Sequence, residues 1–259
     1  MKFSRFRIVV FLLFGFFLFE GFQSQSSPMQ KGVEIPAHSN QEIIICHTAY
    51  CLSYNPLHKQ ANWVAYELTD LETHALVKRK NHFQPDPFLT ENSCELSDYR
   101  KSGYDRGHLA PSADMTWSEK TMNESFYLTN ISPQDQSFNR GVWNTLEEKV
   151  REYAKNNKQI YVVTGPILQD GLPTIGANKV SIPRYFYKAL LDYSQPSVKA
   201  IAYLMKNENS DEPLKHFTIS IDSLEKISRI DFFPLLPDND EKKLEKENCF
   251  SCWEIEKNH

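Results

Sequence analysis

Glycine is scarce in this chain and proline is scattered: 9 Gly and 14 Pro in 259 residues fall at no fixed period. That excludes collagen-like and low-complexity architectures. Excess positive charge is also missing, since 29 Lys and Arg stand against 33 Asp and Glu for a formal net charge of −4. A protein that coats nucleic acid by bulk charge is therefore excluded, although a local basic cleft is not. No internal repeat is visible. Cysteine is limited to Cys46, Cys51, Cys94, Cys249 and Cys252, an odd number that leaves one thiol over or all of them free. Cys249-x-x-Cys252 lacks the two further ligands of a zinc knuckle, so a terminal disulfide or idle thiols is the expectation. Long hydrophobic runs are absent with one exception. Ile8 to Phe19 is apolar, but its twelve residues fall short of the roughly 20 that span a bilayer as a helix.

That run follows Lys2, Arg5 and Arg7 and precedes Glu20 and a polar stretch, the order of a secretory signal. Residues 1–25 are expected to be a signal peptide removed on export, placing the protein in a secreted or periplasmic setting. No Ala-x-Ala marks the cleavage site, and an uncleaved anchor is the competing reading. Residues 26–42 read as a linker, 43–250 as the folded domain and 251–259 as a peripheral tail held by Trp253 and the Cys pair.

What is present is enough for a sizeable core: 41% hydrophobic residues and 13% aromatic. Ile43–Ile45, Tyr50–Tyr54 and Trp63–Leu68 are short β-branched and aromatic runs broken by turn formers, and predict an antiparallel meander. Residues 70–102 show no periodicity and read as a long surface excursion of the kind that often carries function. Ile160–Leu168, Val180–Tyr193 and Val198–Met205 predict three further strands. Asp222 with Glu225 predicts an N-cap and capping box opening a short helix. The order of elements predicts a single α+β domain.

Two polar clusters break this pattern. In Tyr104-Asp105-Arg106-Gly107-His108-Leu109-Ala110-Pro111 an acid, a guanidinium and an imidazole lie within four residues. A histidine in such a place is often only a satisfied structural residue. The second cluster runs from Asn130-Ile-Ser-Pro-Gln134 to Asn139-Arg-Gly-Val-Trp143 and on to Glu147 and Arg151. Trp143, Leu146, Val150 and Ala154 recur at helical spacing, which predicts an amphipathic helix over 140–155 with Asn139 at its N-terminus. Asn139, Trp143, Glu147 and Arg151 then share one slowly drifting face. The plain alternative is a helix-capping Asn139 and a solvated Glu147–Arg151 pair.

Asp105-Arg106-Gly107-His108, with Asn139 and Glu147 downstream, resembles the DNA/RNA non-specific endonuclease family of ββα-metal nucleases. Val162-Val-Thr-Gly165, Ile182-Pro-Arg-Tyr-Phe-Tyr-Lys188 and Asp231-Phe-Phe-Pro-Leu-Leu-Pro237 extend the resemblance over roughly residues 45–240. It implies a central antiparallel sheet flanked by helices and a metal-dependent endonuclease that hydrolyses DNA and RNA to 5′-phosphate ends with little sequence preference. DNA and RNA would be its partners, with no stable membrane partner. His108 resembles the general base that activates water. Asn139 resembles the one side chain that holds the catalytic Mg²⁺ directly, with Mn²⁺ as a substitute, and Glu147 the acid that orients metal-bound waters. Arg106 and Arg151 resemble residues at the scissile phosphate, and Asn130 a supporting polar residue. The family's further arginine precedes a Phe/Trp-x-x-Asp-Pro segment. Here that segment is Phe83-Gln-Pro-Asp86-Pro87, which points to Arg79 with Lys78 or Lys80 as substitutes. A non-catalytic nucleic-acid-binding module on the same scaffold is the rival reading.

These residue types suit the reaction. A neutral imidazole accepts a proton near pH 7, so the rate should fall on the acid side near about 6.5 unless the site shifts it. A neutral amide suits Mg²⁺, which keeps most of its waters. Arginines supply fixed charge where the phosphate sits.

Overall fold

Runs of strands are interspersed with helices along the chain of the computed structural model, which describes residues 32–89, 91, 93–194 and 198–254. The expected signal peptide lies outside the described residues. The strands are β1 (Ile43–Cys46), β2 (Cys51–Asn55), β3 (Gln60–Thr69), β4 (Tyr104–His108), β5 (Ile131–Asp135), β6 (Gln159–Pro166), β7 (Thr174–Ile175), β8 (Val180–Ser181), β9 (Tyr185–Asp192), β10 (Lys199–Lys206) and β11 (Thr218–Ile219). The helices are α1 (Leu96–Tyr99), α2 (Glu119–Ser125), α3 (Gln136–Arg140), α4 (Val142–Asn157), α5 (Ile221–Ser228) and α6 (Asp238–Leu244). No helix among the described residues is long and apolar enough to cross a membrane.

Seven strands form one antiparallel sheet in the order β1-β2-β3-β6-β9-β10-β11. Side chains alternate across it, which explains the near-continuous apolar sequence of its central strands. Val162, Leu190 and Tyr203 face one core with Trp143, Leu146 and Val150 of α4. Val163, Leu191 and Ala202 face the other with Ile221 and Leu224 of α5 and with Phe232 and Phe233. On the α4 side, β4 and β5 pair separately and lead directly into α3 and α4, a ββα unit seated on the sheet.

Several local expectations change in the folded chain. The predicted helix over 140–155 is two helices broken at Gly141, where a Cβ would stand 2.4 Å from the Ser137 carbonyl oxygen. Asn139 therefore sits on α3, whose N-cap is Asp135, and is not the cap of the long helix. The strand expected over 180–193 is split into β8 and β9 around Pro183, which has no N–H to offer a ladder. Ser220, not Asp222, caps α5, and Glu225 instead accepts a hydrogen bond from the Phe232 N–H at 2.9 Å.

The 70–102 excursion is only partly on the surface, because Asp86, Cys94, Asp98 and Tyr99 are buried within it. The packed chain also runs past both ends of 43–250. Val33, in the expected linker, fills the α5-side core. In the expected tail Trp253 is buried against Tyr153, with ring centroids 5.1 Å apart. Disulfides join Cys46 to Cys51 and Cys249 to Cys252 and leave Cys94 free and buried.

Candidate active site

Gly107 lets the two strands of the ββα unit close. Asp105 faces Gln134 and Gly107 faces Ser132 across the ladder. A Cβ on Gly107 would come within 2.1–2.5 Å of three side-chain atoms of Gln134, which is itself wholly buried. The absence of a side chain here brings β5 against β4, and with it the α3 residues that follow.

His108 ends β4 in a nearly closed aromatic setting. The Phe126 ring meets it edge-on at 4.8 Å and the Phe83 ring lies at 5.4 Å. Its Nε2 is buried without a hydrogen-bond partner among the described residues. Burial, then the charges of Arg79 and Arg106, push the imidazole down to about 3, so it is neutral at pH 7. Asn130 does not reach the cleft that His108 lines. It is wholly buried, accepts the Ala110 N–H on Oδ1 at 2.9 Å and donates from Nδ2 to the Ala110 and Ser125 carbonyls, while its own carbonyl accepts the Leu109 N–H. Asn130 thus pins the two residues that follow His108.

Asp105, one strand position before Arg106, organises the other side. Its carboxylate takes two hydrogen bonds from Arg140, at 2.8 and 2.7 Å, and one from Asn139 Nδ2 at 2.9 Å. Burial would raise its pKa, but these donors outweigh it and hold the carboxyl below its ordinary value. With Nδ2 committed to Asp105, Asn139 Oδ1 is left without a partner among the described residues.

On α4 the solvated Glu147–Arg151 pair of the plain alternative does not form among the described residues. Arg151 Nη1 donates instead to the buried Asp114 at 2.9 Å, and Asp114 also accepts the Tyr66 hydroxyl at 2.8 Å. Trp143 turns into the core, because a step of four residues drifts around the helix. Burial pushes the Glu147 carboxyl above its ordinary value, aided by Asp114 and opposed by Lys188, Arg151 and Arg79.

These groups meet in a single cleft of about 940 Å³, which Arg79, Arg106, His108, Asn139, Glu147 and Arg151 all line. Lys78 and Lys80 are not on its wall, and Lys80 pairs with Glu119. Arg100 and Arg140 join the lining, so five arginines concentrate positive charge in a chain that is acidic overall. Arg100, Asp114 and Lys188 were not marked by the sequence as site residues. Lys188 ends one of the blocks that carry the resemblance, but only the packing brings these three residues to the cleft or beneath it.

The donor set fits a hydrated magnesium ion. One neutral amide oxygen without a partner faces a cleft that also holds the Glu147 carboxylate. Among the described residues no group of three His, Cys, Asp or Glu ligand atoms converges there. Mg²⁺ keeps several waters and needs few protein ligands, whereas a protein-caged ion would need more.

A family model described as DNA/RNA non-specific endonuclease matches residues 29–239. The mitochondrial nuclease EXOG of Danio rerio is 36% identical over 207 residues, covering 73% of this chain and 60% of that protein. The mitochondrial endonuclease G of Homo sapiens is 34% identical over 201 residues, covering 72% and 68%. A nuclease of Nostoc sp. is 33% identical over 210 residues, covering 76% and 75%. This chain thus matches about three fifths of the length of the zebrafish protein. A solved EndoG/EndoGI complex is similar to it with a TM-score of 0.71 and 32% identity, covering 76% of this chain and 88% of that one.

Proposed function

Because the chain belongs to the DNA/RNA non-specific endonuclease family, we propose that it hydrolyses phosphodiester bonds of DNA and RNA with little sequence preference. In this reading His108 is the general base and Asn139 holds one Mg²⁺, or Mn²⁺ in its place. The observation that carries the proposal is the convergence of a neutral, buried imidazole, an amide oxygen without a partner, a carboxylate and five arginines in one cleft.

Arg79, Arg106 and Arg151 offer fixed guanidinium charge to a phosphate entering the cleft. Arg151 is held in place by Asp114, and Arg106 lies over the Phe83 ring at 4.3 Å. The neutral imidazole of His108 takes a proton from the attacking water, and Asn130 fixes the backbone that presents it. Asn139 Oδ1 and Glu147 are the groups that would hold and orient the hydrated metal. When bound, the ion would supply positive charge to the phosphate oxygens as the pentavalent state forms. Contacts to phosphate and sugar carry no direct sequence information, which accounts for the broad substrate range.

Supercoiled plasmid and a structured RNA incubated with the protein should both be cut in Mg²⁺, leave 5′-phosphate ends, and stay intact in EDTA. Binding of both without cutting at any Mg²⁺ concentration would instead favour the non-catalytic module. Cutting of one nucleic acid alone would narrow the substrate class.

We also infer export, supported by the charged start with its short apolar run and by two disulfides, which persist in oxidising compartments. The location in the names of EXOG and endonuclease G is that of those proteins. Protein from its native compartment should have a mass lacking about residues 1–25. Full-length chain recovered only from membranes would overturn this.

A further inference from the structure

The β1–β2 hairpin carries a disulfide across a turn that is already shut. Cys46 and Cys51 face each other at the end of the ladder and are bonded, so the bridge closes only residues 47–50, where the His47 N–H donates to the Tyr50 carbonyl at 2.8 Å. A disulfide over so short a loop removes little entropy from the unfolded chain, because that contribution grows with loop length. Its effect is therefore local and falls on the residues it closes. One end of the bridge is open to solvent, since Cys46 is exposed.

Residues 47–50 hold, from outside the cleft, the two segments that wall in His108. His47 Nε2 lies 2.9 Å from Asp86 Oδ2, with both side chains almost wholly buried, and Asp86 also accepts the Thr129 hydroxyl at 2.6 Å and the Phe88 N–H at 2.9 Å. Thr48 donates its N–H and its hydroxyl to the two carboxylate oxygens of Glu124, at 2.8 and 3.0 Å, and the Tyr50 hydroxyl donates to the Glu124 carbonyl at 2.8 Å. Asp86 follows Phe83 by three residues, and Glu124 precedes Phe126 by two. The Gln84 N–H on the Phe126 carbonyl, at 3.2 Å, and the Leu128 N–H on the Gln84 carbonyl, at 3.0 Å, tie the two segments to each other. Phe83 and Phe126 meet edge to face at 4.9 Å, and both rings lie against His108. Arg106 lies over the first ring and Arg79 over the second, at 5.5 Å. The hairpin tip thus anchors the surroundings of the imidazole and of two cleft arginines.

We propose that Cys46–Cys51 is a redox control site: a dithiol reductant opens the bridge, the hairpin tip lets go of Asp86 and Glu124, and the aromatic wall around His108 loosens, so that the nuclease turns over at full rate only while the bridge is closed. One thiolate of the reductant attacks the exposed Cys46 sulfur; the S–S bond breaks, leaving a mixed disulfide and a Cys51 thiolate that takes up a proton. The reductant's second thiolate then displaces Cys46, which is protonated in turn. The reductant departs as a disulfide, and the protein has gained two electrons and two protons as two thiols. The inference rests on the reading of His108 as the general base. It gives the chain a means of staying slow in a reducing compartment, where such a bridge does not persist, and of becoming active in an oxidising one.

Oxidised protein and protein treated with dithiothreitol, compared well below the melting temperature, test it, with thiol alkylation and mass spectrometry reporting the state of each bridge. Once Cys46 and Cys51 react with the alkylating agent, kcat on plasmid in Mg²⁺ should fall about 10- to 100-fold, the scale of a small misplacement of a reacting group, with KM changing less. Reoxidation should restore it. Cys249→Ser/Cys252→Ser should keep the full response, whereas Cys46→Ser/Cys51→Ser should be slow from the outset and indifferent to dithiothreitol. A bridge that served stability alone would lower the melting temperature and leave the kcat of the folded protein unchanged. That pattern, or turnover within about twofold of the oxidised protein once Cys46 and Cys51 are reduced, overturns the proposal.

If Cys46→Ser/Cys51→Ser does not fold, wild type folded with its bridges closed and then reduced decides alone. Amide hydrogen exchange separates this inference from the functional reading. Reduction should speed exchange in peptides covering 83–89 and 124–130, which hold the Gln84 and Leu128 N–H groups, while β6 and β10 keep their protection. Unchanged exchange in those two peptides refutes the inference, and so does an equal rise across β6 and β10, whether or not the protein cuts nucleic acid. An oxidised wild type inactive on both DNA and RNA refutes the functional reading alone.

Discussion

Replacing His108 with Ala should lower the rate of plasmid cleavage in Mg²⁺ by about 10²- to 10⁴-fold, the usual contribution of a positioned general base. The protein should still fold and bind nucleic acid, because Arg79, Arg106 and Arg151 remain on the cleft wall. The site also changes the expected pH dependence. Burial and the two neighbouring arginines push the imidazole from its ordinary 6.5 down to about 3, so protonation of His108 in the free protein lies well below neutrality. An acid limb of activity near neutrality would belong to the raised carboxyl of Glu147.

The same shift makes His108 a burden on stability in acid. Between pH 6.5 and about 3 the unfolded chain binds a proton at this residue that the folded chain does not, so wild-type stability falls as pH drops through that window. His108→Ala removes this slope. Melting temperatures of the two proteins across that window, beside single-turnover cleavage at pH 7, test both halves. A variant that cuts at close to the wild-type rate would remove His108 from the mechanism.

Replacing Asn139 with Ala should cost about 10²-fold or more in activity at fixed Mg²⁺, since metal assistance is worth several kcal/mol of transition-state stabilisation. The Mg²⁺ concentration needed for half activation should rise. Stability should change by only about 1 kcal/mol, the worth of one hydrogen bond, because Asn139 caps no helix and its side chain makes, among the described residues, only the donation to Asp105. Metal titration beside a thermal melt measures both. Normal turnover with a lowered melting temperature would assign Asn139 to the fold.

Short-range features were legible because they depend on spacing along the chain. The meander β1–β3, the buried strands β6 and β10, the amphipathic face of α4 and the clustering of Asp105, Arg106 and His108 all follow from periodicity and local chemistry. So did the ordering of the motif blocks that carry the family resemblance. The predicted elements failed at two local breaks. Gly141 ends α3, where a Cβ would lie against the Ser137 carbonyl, and the cap of the helix that carries Asn139 is Asp135. Pro183, with no N–H to donate, divides a strand between two sheets.

The sequence by itself determined which chemical groups this protein brings to its cleft: an imidazole, an amide, a carboxylate and several arginines at fixed separations along the chain. Tertiary structure alone decided their electrical state and their orientation. The neutrality of His108 comes from Phe83, Phe126, Arg79 and Arg106, the free oxygen of Asn139 from Asp105, and the aim of Arg151 from Asp114. Lys188 lies against Trp143 and the Leu109 carbonyl only because sheet order places β9 beside β6, with α4 packed on the same face. A pKa or a hydrogen-bond direction depends on charge and dielectric within a few ångströms, and sequence distance carries almost no information about which residues those will be.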